Sequence, residues 1–342
     1  MCLTRNTFIA SDIGLWSMHT PITRDTIRSD STSQDEAFKL LSDTTRLEIL
    51  QTLWENYDPD TPTPMRFSDL RDRINVEDPG RLNYHLNKLR THFIRRTDDG
   101  YELREAGMRI VRVLLAGTAI DDPEIDPVAV DVACWYCGGQ LEWSYQNGWR
   151  YLECTDCDAR CVDSTPPGVI SKNEFPPSGL FNRTPNEIND ADRIWSSHRR
   201  ASVMDCVCPE CAGTMPVRSI EICENHRPDW DTYQFCENCG SIFWMLVSHV
   251  CEVCKYTWRM PTLFYPTRFP AVIAFYYEHG IEFDLATYEQ RSLLLTYREE
   301  IVTKDPLQIQ IAVPVEDEEL RLTFDNQMSV VEMSRRGTKS HE

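Results

Sequence analysis

The sequence predicts an α+β chain of several domains: a mostly helical body near the N-terminus, then cysteine-paired hairpin modules, then a small α+β body. Three observations carry this. Apolar residues recur at helical spacing between residues 34 and 115, C-x2-C pairs recur between residues 134 and 254, and alternating apolar patterns follow residue 307. A chain of 342 residues has room for more than one such core. The expected boundaries are a disordered arm at 1–33, a first domain at 34–117 and an acidic linker at 118–131. A cysteine module at 132–161, a Pro-rich linker with a helix at 162–205 and a tandem cysteine module at 206–260 follow. An α+β domain at 261–335 and a tail at 336–342 complete the chain.

Within the first domain, Ala37, Leu40, Leu41, Leu47, Leu50 and Leu53 fall at helical spacing. The break near Ser42-Asp43 predicts two helices, the second capped by Asp43. Phe67, Leu70 and Ile74 mark a short third helix, and the turn-prone Glu77-Asp78-Pro79-Gly80 leads into a fourth. Asp78 can accept from the first free amides of that helix, and Pro79 suits its first turn because the donor it lacks is not needed there. Residues 93–96 and 101–104 bracket Thr97-Asp98-Asp99-Gly100, whose Asp-Gly pair suits a tight hairpin, or wing. A last helix from Glu105 to Leu115 carries Met108, Val111, Leu114 and Leu115, an apolar surplus that points to a homodimer contact, and it stops at Gly117.

The fourth helix is the most informative. Leu82, Leu86 and Leu89 share one face, whereas Arg81, Asn83, Tyr84, Asn87 and Lys88 lie elsewhere on its surface, a set suited to base edges and phosphates. The formal charge of the chain is −19, yet residues 65–96 hold eight basic side chains against four acidic ones, a local balance of +4. The local patch coincides with helix and wing, which suits double-stranded DNA as the partner. Arg81, Tyr84 and Asn87 are the candidate base readers, with Asn83 flanking them in the DNA-binding set, and Lys88, Arg90, Arg95 and Arg96 the candidate phosphate contacts. His85, at the edge of the apolar stripe, reads as a packed histidine. The 29 arginines to 6 lysines and the acidic remainder fit a halophile-like cytoplasm, where salt screens the unfavourable long-range field.

Residues 40–50, Leu-Leu-Ser-Asp-Thr-Thr-Arg-Leu-Glu-Ile-Leu, and 80–86, Gly-Arg-Leu-Asn-Tyr-His-Leu, resemble an ArsR-type winged helix-turn-helix regulator over about residues 35–117. The cysteine pairs that follow resemble the haloarchaeal branch of those regulators, which carries a long C-terminal region. The resemblance implies a dimer on a near-palindromic operator. Metal sensing through cysteines of the recognition helix, found in many members, does not carry over, since residues 35–117 contain no cysteine.

Cys208, Cys211, Cys223 and His226 are each followed 28 positions later by Cys236, Cys239, Cys251 and Cys254. An earlier unit, Cys134, Cys137, Cys154 and Cys157, encloses two short strands about Gln146-Asn147-Gly148. Four ligands in such pairs can close a tetrahedron around zinc, so up to three structural zinc ions in ribbon-like modules are expected. Iron in the same sites is the rival reading, because spacing does not separate the two metals in a four-thiolate set. The grouping within the tandem part is open. Each repeat holds its own metal, or Cys208 and Cys211 share one with Cys236 and Cys239 while Cys223 and His226 join Cys251 and Cys254. Cys2, Cys161 and Cys206 read as ordinary thiols. No apolar signal segment precedes the first helix, so metal in a reducing cytoplasm is preferred to disulfides.

Beyond the cysteines, Thr184-Pro185-Asn186-Glu187 has capping-box form and opens a helix to about Arg200. A core helix is expected over Pro270 to His279, and strands over 308–313, 320–324, 329–333 and 293–297. No membrane span, phosphate loop, nucleophile elbow or dinucleotide fingerprint is present, and four-ligand metal sets leave no open coordination position. A binding protein is therefore expected rather than an enzyme. The alternative is a protein- or RNA-binding adaptor, in which the aromatic residues near the ribbons stack on unpaired bases.

Overall fold

The computed structural model describes residues 34–61, 63–74, 76–117, 122–161, 165–224, 236, 243–282 and 293–337. The expected arm at 1–33 and the third ligand pairings that need His226 and Cys239 lie outside these residues. The chain divides into two compact units, the smaller ending at Asp121 and the larger running on from Asp122.

The smaller unit contains α1 (Gln34–Leu41), α2 (Thr44–Glu55), α3 (Phe67–Ile74), α4 (Pro79–Leu89), β1 (Ile94–Arg96), β2 (Tyr101–Leu103) and α5 (Glu105–Leu115). Local chemistry sets its boundaries. Asp43 caps α2 by accepting from the Arg46 amide at 3.2 Å, and Asp78 caps α4 by accepting from Gly80 at 2.8 Å. Leu40, Ile49, Leu50, Leu53, Leu70, Leu82, Leu86, Leu89 and Val111 form one core. His85 is buried as expected, with Nδ1 3.5 Å from Oδ1 of Asp43, the residue that caps α2. In α5, Gly107 passes so close to the Phe93 carbonyl that any side chain there would collide with it.

The larger unit holds three antiparallel sheets. The first, in order β3-β4-β5-β6, consists of Ile125–Ala133, Gln140–Gln146, Trp149–Cys154 and Val169–Glu174. The β4–β5 turn places Asn147 at φ 53° and Gly148 at φ 77°, the paired positive angles of a tight hairpin. Two expectations are corrected here. The acidic linker at 118–131 instead supplies β3 from Ile125 onward, and the Pro-rich stretch after residue 162 contains β6. Pro127 falls at a register shift in an edge strand, where a missing amide donor is tolerated. Helix α6 (Pro185–Met204) opens with the full capping box of Thr184 and Glu187. It lies against this sheet, with Trp143 Nε1 donating to the Pro185 carbonyl at 3.2 Å and Arg150 pairing with Asp192 at 2.5 Å, both side chains 1% exposed.

The second sheet is β7-β8-β9 (Val217–Ile222, Met245–Val250 and Thr257–Pro261), and the third β10-β11-β12-β13 (Arg298–Lys304, Leu307–Val315, Glu318–Phe324 and Val330–Gly337). With α7 (Pro270–Glu278) they share a core that includes Met245, Val247, Tyr265, Phe275, Ile311 and Phe324. The expected strand at 293–297 is not one. Arg298–Lys304 takes its place, turning the buried carboxyl of Glu299 inward where the apolar alternation fails. The expected tail also shortens, since β13 runs to Gly337. No helix among the described residues is long and apolar enough to cross a membrane.

Candidate metal centres and candidate nucleic-acid face

Among the described residues, two groups of four cysteines each bring one sulfur per residue within 4.8 Å of the others: Cys134, Cys137, Cys154 and Cys157, and Cys208, Cys211, Cys251 and Cys254. In the first, Cys134 and Cys157 Sγ are 3.9 Å apart and Cys137 and Cys154 Sγ 3.5 Å. In the second, Cys208 to Cys254 is 3.6 Å and Cys211 to Cys251 3.5 Å. Metal–sulfur bonds of about 2.3 Å in a tetrahedron place sulfurs about 3.8 Å apart, so both clusters fit a four-thiolate metal.

Strand pairing builds each cluster. The register Leu141↔Cys154 carries Cys154 back beside the turn that holds Cys134 and Cys137. In the second sheet, β7 leaves the Cys208–Cys211 turn and β8 returns antiparallel, with Val217 opposite His249 and Ile222 opposite Met245. The end of β8 therefore delivers Cys251 and Cys254 to the start of β7. This grouping differs from both sequence-based pairings, because a 28-residue repeat does not dictate which pairs converge and an antiparallel hairpin does. At the hairpin's far end Cys223 Sγ lies 3.8 Å from Cys236 Sγ. His226 and Cys239 lie outside the described residues.

The turns share one backbone device. A residue with positive φ follows the second cysteine of three pairs: Gly138 at 76°, Ala212 at 56° and Lys255 at 64°. Amides reach the sulfurs around these turns, from Gly139 to Cys137 and from Val253 and Cys254 to Cys251, each at 3.4 Å. Glycine announces the first turn in the sequence, whereas Ala212 and Lys255 adopt the same conformation without that signal.

Electrostatics favours a cation at both clusters. Burial pushes the Cys134 thiol up to about 11 and the Cys208 thiol up to about 12, and raises Cys157 as well. Hydrogen bonds from the Cys254 and Val253 amides pull Cys251 down to about 6. Thiols held this closely ionise together only beside a positive charge, which a metal ion bound there would supply. All eight are free of disulfides, as is Cys161, whereas Cys206 is disulfide-bonded, contrary to the sequence reading.

The second candidate site is the outer surface of α4. Leu82, Leu86 and Leu89 are fully buried, while Arg81, Asn83, Tyr84, Asn87 and Lys88 are all exposed. The helix carries no carboxylate. Lys88 Nζ lies 5.8 Å from the centre of the Tyr84 ring, and Arg90, also exposed, donates to Asn87 Oδ1 at 3.3 Å. On the hairpin, Arg95 is exposed but paired with Glu102, and Arg96 lies 6.0 Å from the Tyr101 ring centre.

Residues 34–114 match the family described as Domain of unknown function (DUF7347), and residues 131–330 match Domain of unknown function (DUF7351). None of the curated proteins and none of the solved structures matches the chain. The two matches fall on different compact units, and the second includes all eight cysteines of the two clusters. Because that match spans more than half of the 342 residues, the chain belongs to the DUF7351 family.

Proposed function

We propose that this protein is a sequence-specific DNA-binding regulator of transcription, ArsR-like, with a winged helix-turn-helix in the smaller unit and structural zinc in the larger. The observation that carries the reading is the division of α4. Its apolar side is wholly sequestered, and its outer side presents Arg81, Asn83, Tyr84, Asn87 and Lys88 with no acidic side chain on the helix. Arg81, Tyr84 and Asn87 approach base edges, and Lys88, Arg90 and Arg96 contact phosphates. Arg95 joins them only after exchanging Glu102 for a phosphate. Zinc sits in the two four-cysteine clusters, and a third ion at Cys223 and Cys236 rests on the spacing to His226 and Cys239. The protein acts as a homodimer through α5, whose Val113 and Leu115 are about half exposed.

The test is binding of the full-length chain to random-sequence duplex DNA and to single-stranded RNA, followed over a salt series. Duplex is preferred, selection enriches a near-palindromic sequence, and Lys88→Ala weakens all duplexes alike while lowering the salt slope by about one. Equal binding to both nucleic acids, or an unchanged slope in Lys88→Ala, overturns the reading.

A further inference from the structure

A cavity of about 590 Å³ lies within the larger unit, walled by β6, by β8 and β9, and by residues 294–295. That volume is in the range of small-molecule sites. Both β6 and β9 are terminal strands of their sheets, so two open sheet edges border the space. Its walls run against the character of the whole chain. Acidic residues outnumber basic ones 54 to 35 overall, yet the lining contains Lys172, Arg200 and Arg259, the last paired with Glu221, and Glu174 as its one carboxylate. Glu174 is itself held by Arg199 at 2.9 Å.

Lys172 is the informative side chain. Its Nζ lies 4.5 Å from the centre of the Trp149 ring and 5.4 Å from that of Tyr151, and it has no ion-pair partner among the described residues. Across the lining, the Arg200 guanidinium lies 4.3 Å from the Phe264 ring centre. Trp149 and Trp258 are partly exposed, and neither indole N–H is donated to another described residue. An ammonium without an ion-pair partner held over an indole, a second cation on a phenyl ring, and two partly exposed indoles in one lining together favour an aromatic ring that bears a negative charge.

We propose that this cavity binds a small planar anion, one aromatic ring system carrying a carboxylate or phosphate. The ring stacks against Trp149 or Trp258, and Lys172 meets the anionic group. This is independent of what the α4 face binds.

Calorimetric titration of the full-length, metal-replete chain tests it with indole-3-acetate and adenosine 5′-monophosphate, with their neutral counterparts indole-3-acetamide and adenosine, and with a ten-nucleotide oligothymidylate. At least one anion binds, one per chain, and its neutral counterpart is weaker by about tenfold, the scale of one charge-assisted hydrogen bond. Lys172→Gln, at an exposed position that leaves folding intact, removes that difference without changing metal content, and Trp258→Ala weakens the anion and its neutral counterpart alike. Four results overturn the proposal: no binding of either anion at millimolar concentration, equal affinity for charged and neutral forms, unchanged anion affinity in Lys172→Gln, or an oligonucleotide bound far more tightly than the mononucleotide. The last would mark the cleft as a single-strand groove.

Discussion

Replacing Cys211 by serine removes one ligand from a cluster whose other members are Cys208, Cys251 and Cys254, and replacing Cys251 attacks that same cluster. With free metal a thousandfold above its dissociation constant, a filled site stabilises the folded chain by about 4 kcal/mol. Each single variant forfeits roughly that amount and one equivalent of metal. The Cys211→Ser/Cys251→Ser double variant forfeits the same roughly 4 kcal/mol and the same single equivalent, because the second substitution has nothing left to remove. Cys137→Ser/Cys211→Ser strikes two clusters and loses two equivalents and about 8 kcal/mol, as independent sites should. Elemental analysis of the purified full-length chain, with denaturation midpoints, reads both quantities. Loss of two equivalents from Cys211→Ser/Cys251→Ser refutes the grouping, since that is what two side-by-side repeats require.

Two further outcomes concern buried charge. Asp192→Ala leaves the 1%-exposed Arg150 without its carboxylate and deprives Asn173 and Ser196 of their acceptor, so a loss of about 3 to 5 kcal/mol in chemical unfolding is expected; a loss below about 1 kcal/mol would show that Arg150 finds water or another partner. Burial raises the Glu299 carboxyl well above its ordinary value, so the folded chain keeps a proton that the unfolded chain releases. Stability from this group therefore falls as pH climbs from the usual carboxylate range toward the raised folded value. Glu299→Gln should melt progressively higher than the parent as pH is raised from 4 to 8; a pH-independent offset between the two melting curves contradicts the assignment.

Elements specified by neighbouring residues are legible in the sequence. Asp43 and Asp78 mark the starts of α2 and α4, Thr184 and Glu187 that of α6, and Asn147-Gly148 the β4–β5 turn, because each signal acts within four residues. What depends on distant partners is not. β3 hides among aspartates and Pro127 because an edge strand needs little apolar alternation, and β10 is masked by Glu299, an acid where the pattern calls for an apolar side chain. The cysteines are identifiable as candidate ligands from their pairing, but their grouping is set by the β7–β8 register, which runs from Ile222 opposite Met245 to Val217 opposite His249. Arg150 and Asp192 are 42 positions apart, and the cavity draws on side chains from residue 135 to residue 295. No short window contains either arrangement.

The hairpin whose ends carry Cys208–Cys211 and Cys251–Cys254 also contributes a wall of the cavity. Slippage of β8 along β7 by a single residue would shift one thiol pair about 3.3 Å past the other and turn every side chain to the opposite face. An ion held by all four thiols would tolerate neither, and so would serve as a latch that admits one alignment. Chelation would release that latch, and the aromatic chamber would lose its defined outline before the sheet itself came apart.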